Sequence, residues 1–411
     1  MTSSAERRRV LLHARYFASC LSNKPLPEPY SKGDTNRLTL AHFAVNALDL
    51  LGVWGDSEQN SDAGDMNSER GREKELGLDR DAIVDWIYSL QVVVAGAEAG
   101  EDGNGDSWKN AGFKGGTFLG PSASASSDDE AGGCPHHHRH EYDQGHVAMT
   151  YTALCTLRTL GDDWRRVDRK AIANALRGLQ LSEDGSFRSV AAGSESDMRF
   201  LYCACSISHL LNDWSGVDVD AATQYIKSCR SWDGAFALLP GQEGHGGSTF
   251  CAVASLVLMD KLDDVLDGGK EWRKDLVRWC VHRQVGGMQG RPNKDEDTCY
   301  SYWIGGTLRL LGEDALLDHD ALRKFVAKCE SKRTGGFSKI VGAYPDLLHS
   351  YYSLCYLSNS QRYCGGEEKE GGGGTGGGAG GGGFDELNLK ELNTTLGICM
   401  ERAMLFEPVH P

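Results

Sequence analysis

The sequence predicts an all-α fold built from repeated helical hairpins, and two observations carry that reading. An apolar helical segment, a Gly-aromatic turn and a second apolar helix recur along the chain. From Phe187 onward the turn markers Phe236, Met288 and Phe337 follow at intervals of 49, 52 and 49 residues, a period that marks a helical repeat array. Within the units, apolar residues fall at helical spacing, as in Phe200, Leu201, Cys203, Ala204, Ile207, Leu210 and Leu211, while alternating strand patterns are scarce.

Marked turns stand at Gly112-Phe113, Asp184-Gly185-Ser186-Phe187, Asp233-Gly234-Ala235-Phe236, Gly286-Gly287-Met288 and Gly335-Gly336-Phe337. The last three each lead into a run that reads as an inner helix: Ser248-Thr249-Phe250-Cys251, Tyr300-Ser301-Tyr302-Trp303 and Ser350-Tyr351-Tyr352-Ser353. Five such hairpins can stack as an open solenoid or close into a double ring of inner and outer helices. A closed ring brings equivalent turns to one rim. Four segments break the period, at about residues 56–75, 97–106, 122–140 and 365–383. The last is nearly all glycine and glutamate and lacks the apolar surface to offset chain entropy. All four are expected as disordered surface insertions in one domain spanning residues 1–411.

A formal charge of −15, from 43 basic and 58 acidic residues, argues against nucleic acid as a partner, because binding a phosphate backbone needs a basic face. Thirteen cysteines scattered through apolar segments do not form a secreted disulfide framework and point to a reducing, cytoplasmic location. The basic stretch Arg7-Arg8-Arg9 leads into Val10-Leu11-Leu12, but His13, Arg15 and Ser19 interrupt it before a signal-peptide core forms. No run of about 18 apolar residues is present, so no transmembrane segment is expected.

Chemistry concentrates at equivalent repeat positions. Nine residues beyond Phe236, Met288 and Phe337 stand His245, Asp297 and Asp346, each just ahead of an inner helix, where polar groups around one rim converge on a common pocket. One helical turn deeper come Tyr300 and His349. Asp297, Cys299 and His349 offer a carboxylate, a thiolate and an imidazole, a mixed set that suits a zinc ion with its fourth position open, as catalytic zinc is held. Residues two apart do not share a helical face, so the Asp297–Cys299 pair requires Asp297 at the N-cap and Cys299 in the first turn. Singly, a capping Asp, a buried Cys and a core His are ordinary structural residues; their matching repeat positions favour a site.

His245, Arg291, Lys294 and the Tyr300 hydroxyl form a candidate donor cluster for a diphosphate, with Arg as a planar fork and Lys as a point charge. Tyr202, Phe250, Tyr300, Tyr302, Trp303, Tyr351 and Tyr352 lie on the expected inner helices, walls that suit an isoprenoid chain or a carbocation. The tract Cys134-Pro135-His136-His137-His138-Arg139-His140 sits at the end of an insertion without a paired cluster and is given no metal role. Asp295-Glu296-Asp297-Thr298 resembles the acidic motif of triterpene cyclases, but Thr298 replaces its closing Asp.

The residues that carry a family resemblance are Arg37-Leu38-Thr39-Leu40-Ala41, Asp85-Trp86-Ile87-Tyr88-Ser89-Leu90-Gln91, Gly145-His146-Val147-Ala148-Met149-Thr150-Tyr151-Thr152, Ser196-Asp197-Met198-Arg199-Phe200-Leu201-Tyr202-Cys203, His245-Gly246-Gly247-Ser248-Thr249-Phe250-Cys251 and the block from Gly290 to Trp303. In these stretches the chain resembles the protein prenyltransferase β-subunit family, and within it the type I geranylgeranyl branch. The resemblance implies an α/α barrel (toroid) paired with a helical α subunit, and zinc held by Asp297, Cys299 and His349. The implied substrates are geranylgeranyl diphosphate and proteins such as small GTPases that end in a CaaX box (Cys-aliphatic-aliphatic-Leu). It implies that His245, Arg291, Lys294 and Tyr300 stabilise the leaving diphosphate and that Arg199, Tyr202 and Trp303 belong to the pocket.

Farnesyl-transferring relatives carry a Trp where this chain has Thr39, so the resemblance implies room for a twenty-carbon lipid. Relatives that need magnesium place an Asp where Lys339 stands, so magnesium is not expected to be required here. Phe43 and Leu348 match positions that shape the pocket for the terminal Leu. The Gly290–Tyr300 block is shared with Rab-type β subunits, and the alternatives are a Rab-type or farnesyl-type β subunit or, more remotely, a terpene cyclase. A thioester-domain barrel would need a Gly-Cys-Gly-Glu-Gln string, which the sequence lacks.

Overall fold

Helix formation follows the apolar spacing. The computed structural model of the protein describes residues 4–21, 26, 30–55, 69–92, 110–117, 144–192, 194–268, 271–363 and 387–404. Its helices in chain order are α1 (Ser4–Ala18), α2 (Arg37–Leu50), α3 (Glu69–Glu75), α4 (Arg80–Ser89), α5 (Val147–Thr159), α6 (Arg169–Leu179), α7 (Met198–Leu211) and α8 (Val219–Ser228). They continue as α9 (Gly246–Leu258), α10 (Leu262–Leu266), α11 (Trp272–Val281), α12 (Thr298–Leu311), α13 (His319–Lys328), α14 (Leu347–Ser360) and α15 (Met400–Met404).

Two helix types alternate. The outer helices α4, α6, α8 and α13 each begin at an Asp whose carboxylate accepts from a backbone N–H in the first turn, from Ala82, Ala171, Ala221 and Ala321 respectively, a cap that stabilises each helix by about 1 kcal/mol. They are amphipathic: α6 buries Ile172, Ala175, Leu176 and Leu179 and turns Lys170 and Arg177 outward. The inner helices are apolar nearly all round, as in α7, where Phe200, Leu201, Ala204, Cys205 and Ile207 are all buried. A helix of that kind is stable only when neighbours surround it.

The inner helices form a closed ring in the order α2, α5, α7, α9, α12 and α14, with α14 packed back on α2. Of the two stackings the repeat allows, the fold is the closed double ring. The described residues contain six hairpins rather than five, because α1 and α2 make a first unit whose connection carries no Gly-aromatic turn. The insertions at 97–106, 122–140 and 365–383 lie outside the described residues, as does the tract His136–His140. The insertion at 56–75 differs from expectation at its end, where the charged run Glu69–Glu75 is the helix α3.

A buried ionic latch joins the first and last units where the ring closes. Glu330, fully buried, accepts from Arg9 Nε and Nη2 at 2.8 Å each and pairs with His13 Nε2 at 3.2 Å and with Lys332. His13 Nδ1 accepts the Gly336 N–H at 3.0 Å, and its ring stacks on Phe337 at 5.0 Å. Gly335 permits the approach: it has φ +76°, and a Cβ there would stand 2.5 Å from the Leu12 carbonyl oxygen.

Burial opposes ionisation of Glu330, but the His13, Arg9 and Lys332 hydrogen bonds outweigh it and hold the carboxyl down at about 2. The latch therefore stabilises the fold fully above the ordinary glutamate range and loses its contribution as pH falls toward 2. Glu330→Ala, which removes the buried carboxylate that Arg9, His13 and Lys332 share, is expected to cost about 3–5 kcal/mol in denaturant unfolding near pH 7. A loss below about 1 kcal/mol would mean that the ring closes without the latch.

The residues after the glycine-rich segment fill one end of the ring. A hairpin of Leu392–Asn393 with Ile398–Cys399 enters past the C-terminal ends of the inner helices, and its tip meets four tyrosines. Tyr151, Tyr202 and Tyr302 donate to the carbonyls of Leu396, Thr395 and Thr394 at 2.8, 2.8 and 2.9 Å, and Tyr351 donates to Gly397. All four are the fifth residue of an inner helix, so the repeat itself lays out this tyrosine layer. The helix N-termini lie at the opposite, open rim.

Candidate active site

The open rim is built by capping residues. His146, Asp197, His245, Asp297 and Asp346 each precede an inner helix and accept a backbone N–H from its first turn. The partial positive ends of these helices thus face one mouth, which favours anions there. Below the mouth lies a cavity of about 950 Å³ between the rim and the tyrosine layer.

At one side of the mouth, the ligand atoms of Asp297, Cys299 and His349 all lie within 4.8 Å of one another. Asp297 is the N-cap of α12 and accepts the Cys299 N–H at 2.9 Å, the arrangement that residues two apart require. His349 stands in the first turn of α14, with Nε2 3.2 Å from Asp297 Oδ1 and Nδ1 2.6 Å from Asp346 Oδ2. Asp346 therefore fixes the ring so that Nε2 is the atom offered to a ligand, the orienting role a carboxylate plays behind a metal-bound histidine.

Electrostatics fit a cation. Burial alone would lower the His349 imidazole, but hydrogen bonds and charges from Asp297 and Asp346 raise it to about 9. Burial likewise opposes ionisation of Asp297, yet hydrogen bonds from His349 and Cys299 hold it below the usual carboxylate range. Burial and the Asp297 charge push the Cys299 thiol well up. The protein alone thus keeps a proton on His349 and on Cys299, and a divalent cation would displace both. A borderline-soft donor set of O, S and N with three protein atoms converging suits such an ion.

Across the mouth, His245 Nδ1 accepts the Gly247 N–H at 3.1 Å, so the neutral ring carries its proton on Nε2, which meets the Tyr300 hydroxyl oxygen at 3.0 Å. Burial and the nearby Arg291 charge lower His245 and keep it neutral; the Tyr300 O–H is then free to donate into the cavity. Gly290 makes room for this tyrosine: a Cβ there would stand 2.2 Å from Tyr300 Cζ.

A family model for the prenyltransferase alpha-alpha toroid domain matches residues 9–398. The chain belongs to the prenyltransferase α/α-toroid family. It is 40% identical to the geranylgeranyl transferase type-1 subunit beta of Arabidopsis thaliana, over 80% of this chain and 79% of that one. It is 38% identical to the protein of the same name from Dictyostelium discoideum, over 84% of this chain and 89% of that one. In architecture it is similar to the solved Candida albicans protein geranylgeranyltransferase-I complexed with GGPP, at a TM-score of 0.69 and 22% identity over 96% of each chain, a likeness of fold.

Within this prenyltransferase toroid, Thr39, Phe43, Arg199, Tyr202, His245, Arg291, Tyr300, Trp303 and Leu348 line the cavity. Thr39 donates to Met149 Sδ at 3.3 Å. Arg199 is bound bidentately by Asp197, with Nη2 to Oδ2 at 2.6 Å. Lys294 is exposed on the 290–297 loop, outside the lining, and Lys339 Nζ lies 3.6 Å from Asp297 Oδ2. Two participants escaped the sequence reading. Asp346 was placed at a repeat-equivalent position without a role, and Glu243, which binds Arg291, carried no signal beyond its closeness to His245.

Proposed function

We propose that this chain is the catalytic β subunit of a zinc-dependent type I protein geranylgeranyltransferase, which moves a geranylgeranyl group from its diphosphate to the Cys thiol of a C-terminal Cys-aliphatic-aliphatic-Leu box. The observation that carries the reading is the juxtaposition, at one mouth, of the Asp297–Cys299–His349 cluster with the His245–Tyr300 donors above an aromatic cavity. A thiol nucleophile and a diphosphate leaving group need those two devices within one lipid's reach.

Asp297, Cys299 and His349 would hold the zinc, which would supply Lewis acidity to the substrate thiol so that the nucleophile is a thiolate at neutral pH. The thiolate forms the C–S bond at C1 of the lipid while the C1–O bond breaks and diphosphate departs. Tyr300, oriented by His245, together with Arg291, meets the negative charge that develops on the departing oxygen, and Lys294 adds its charge from the loop outside the lining. Lys339, beside Asp297, supplies a cation where magnesium would otherwise serve. Tyr202 and Trp303 face the lipid, and Arg199 stands at the mouth with its charge already matched. Phe43 and Leu348 lie where a terminal Leu would pack.

An α subunit completes the enzyme, in keeping with relatives named as beta subunits. The eleven described cysteines are all free, which supports a reducing, cytoplasmic setting; no described helix is long and apolar enough to cross a membrane.

The donor preference supplies the test. Given farnesyl and geranylgeranyl diphosphate in competition with a Leu-ended peptide, the heterodimer is expected to use the longer lipid. Thr39→Trp, which fills the cavity beside Met149, is expected to reverse the preference by at least about tenfold, the scale on which a pocket discriminates by size. Equal use of both lipids by the parent enzyme would overturn the assignment.

A further inference from the structure

Two cations line the cavity mouth, Arg199 and Arg291, and each meets a carboxylate in a different way. Asp197, which holds Arg199 bidentately, is almost fully buried and also caps α7, and the exposed end of Arg199 also meets Glu195; the Asp197 carboxylate is fixed in the wall. Arg291 Nη1 donates to Glu243 Oε1, and both side chains are substantially exposed, at 39% and 50%. Glu243 lies in the turn just before His245 and itself lines the cavity, so the carboxylate occupies the place at Arg291 that an incoming anion would take.

We propose that Glu243 is a positioning residue that holds Arg291 at the mouth of the empty enzyme and competes with diphosphate for it. This rests on the reading of the mouth as a diphosphate seat. The carboxylate occupies the guanidinium until an anion that binds it more strongly takes its place. A diphosphate carries more charge than one carboxylate and also meets Tyr300, so it displaces Glu243, whereas a carboxylate-headed or singly charged lipid gains little from the exchange. After transfer, return of Glu243 to Arg291 favours departure of inorganic diphosphate. The guard acts on anion affinity and release, and leaves the bond-making step to the other groups.

The test uses the intact heterodimer with inorganic diphosphate as the probe. Glu243→Gln and Glu243→Ala are both expected to tighten diphosphate inhibition by about two- to fivefold, the range for an exposed ion pair. KM for the lipid diphosphate should fall in parallel, by a larger factor than any change in the single-turnover rate. A merely structural Glu243 would instead weaken inhibition and slow transfer. Unchanged or weaker inhibition in either variant overturns the proposal, as does tightening by Gln alone, which would reflect an amide contact. Arg291→Ala reports on the underlying reading separately: it should weaken diphosphate inhibition, and if it does not, the seat itself is misplaced.

Discussion

A Cys299→Ala variant is expected to lose its metal and its transfer activity together, while keeping its fold. The sulfur is the soft member of the three-atom cluster and belongs to a buried residue, Cys299, and the alanine methyl offers no ligand atom in its place. What remains is Asp297 and His349, already 3.2 Å apart, with the imidazole raised to about 9 and the carboxyl depressed. At neutral pH they close into a stable ion pair, and Asp346 still orients the ring. The lost site should therefore appear in metal content and rate and leave the unfolding transition of the metal-free chain almost unmoved. Losing activation of the thiol forfeits several kcal/mol of transition-state stabilisation, on the order of a thousandfold in single-turnover transfer. Elemental analysis by mass spectrometry and the mass shift of a Leu-ended peptide measure the two effects. A variant that retained stoichiometric metal, or transferred lipid at the parent rate without it, would sink the metal assignment.

The metal cluster was legible in the sequence because the repeat supplies a ruler. Counting from each turn marker reached His245, Asp297 and Asp346, and all three are N-caps of inner helices. The same caps at His146 and Asp197 extend the pattern to five helices. Ring closure was legible through the family resemblance, which implied the toroid, but not through the repeat count, since α1 and α2 are joined without the marker and the latch links residues as far apart as Arg9 and Glu330. Counting along a chain has no access to a contact of that range. Lys294 shows another limit: spacing put it beside Arg291, but only the loop's course decides which cation faces the cavity, and in the structure that is Arg291.

The tyrosine layer was legible only by half. Tyr202, Tyr302 and Tyr351 read as an aromatic stripe because ring spacing is a sequence property. Their hydroxyl partners belong to residues 394–397, a stretch without helical periodicity beyond a glycine-rich tract. A buried Tyr O–H demands an acceptor, so the stripe implied partners whose identity only the fold reveals.

Deleting residues 387–404 is expected to abolish the folded chain rather than merely open the cavity. Leu387, Leu389, Leu392, Leu396 and Ile398 are all at most 5% exposed, and burial of each such side chain is worth about 1.5–3 kcal/mol. Their sum rivals the whole net stability of a typical domain, about 5–15 kcal/mol. The polar losses add to it. Four tyrosine hydroxyls lose their acceptors, and Asp49, fully buried, loses Lys390 Nζ at 3.2 Å and Arg402 Nε at 3.5 Å. Burial then favours a neutral Asp49 with its second oxygen unsatisfied.

A point substitution separates the role as cavity floor from the role in folding. Gly397 has φ +72°, and a Cβ there would stand 2.9 Å from the Tyr351 hydroxyl. Gly397→Ala should therefore strain the tip by about 1–2 kcal/mol without removing any apolar contact. Such a chain is expected to fold with a lowered midpoint in thermal unfolding and to bind the lipid diphosphate more weakly, because the layer that Tyr151 and Tyr202 form beneath the cavity shifts with Tyr351. If the deletion variant instead unfolds with the cooperativity and midpoint of the parent, the segment is a passive cover, and the four hydroxyl contacts contribute nothing to the stability of the barrel.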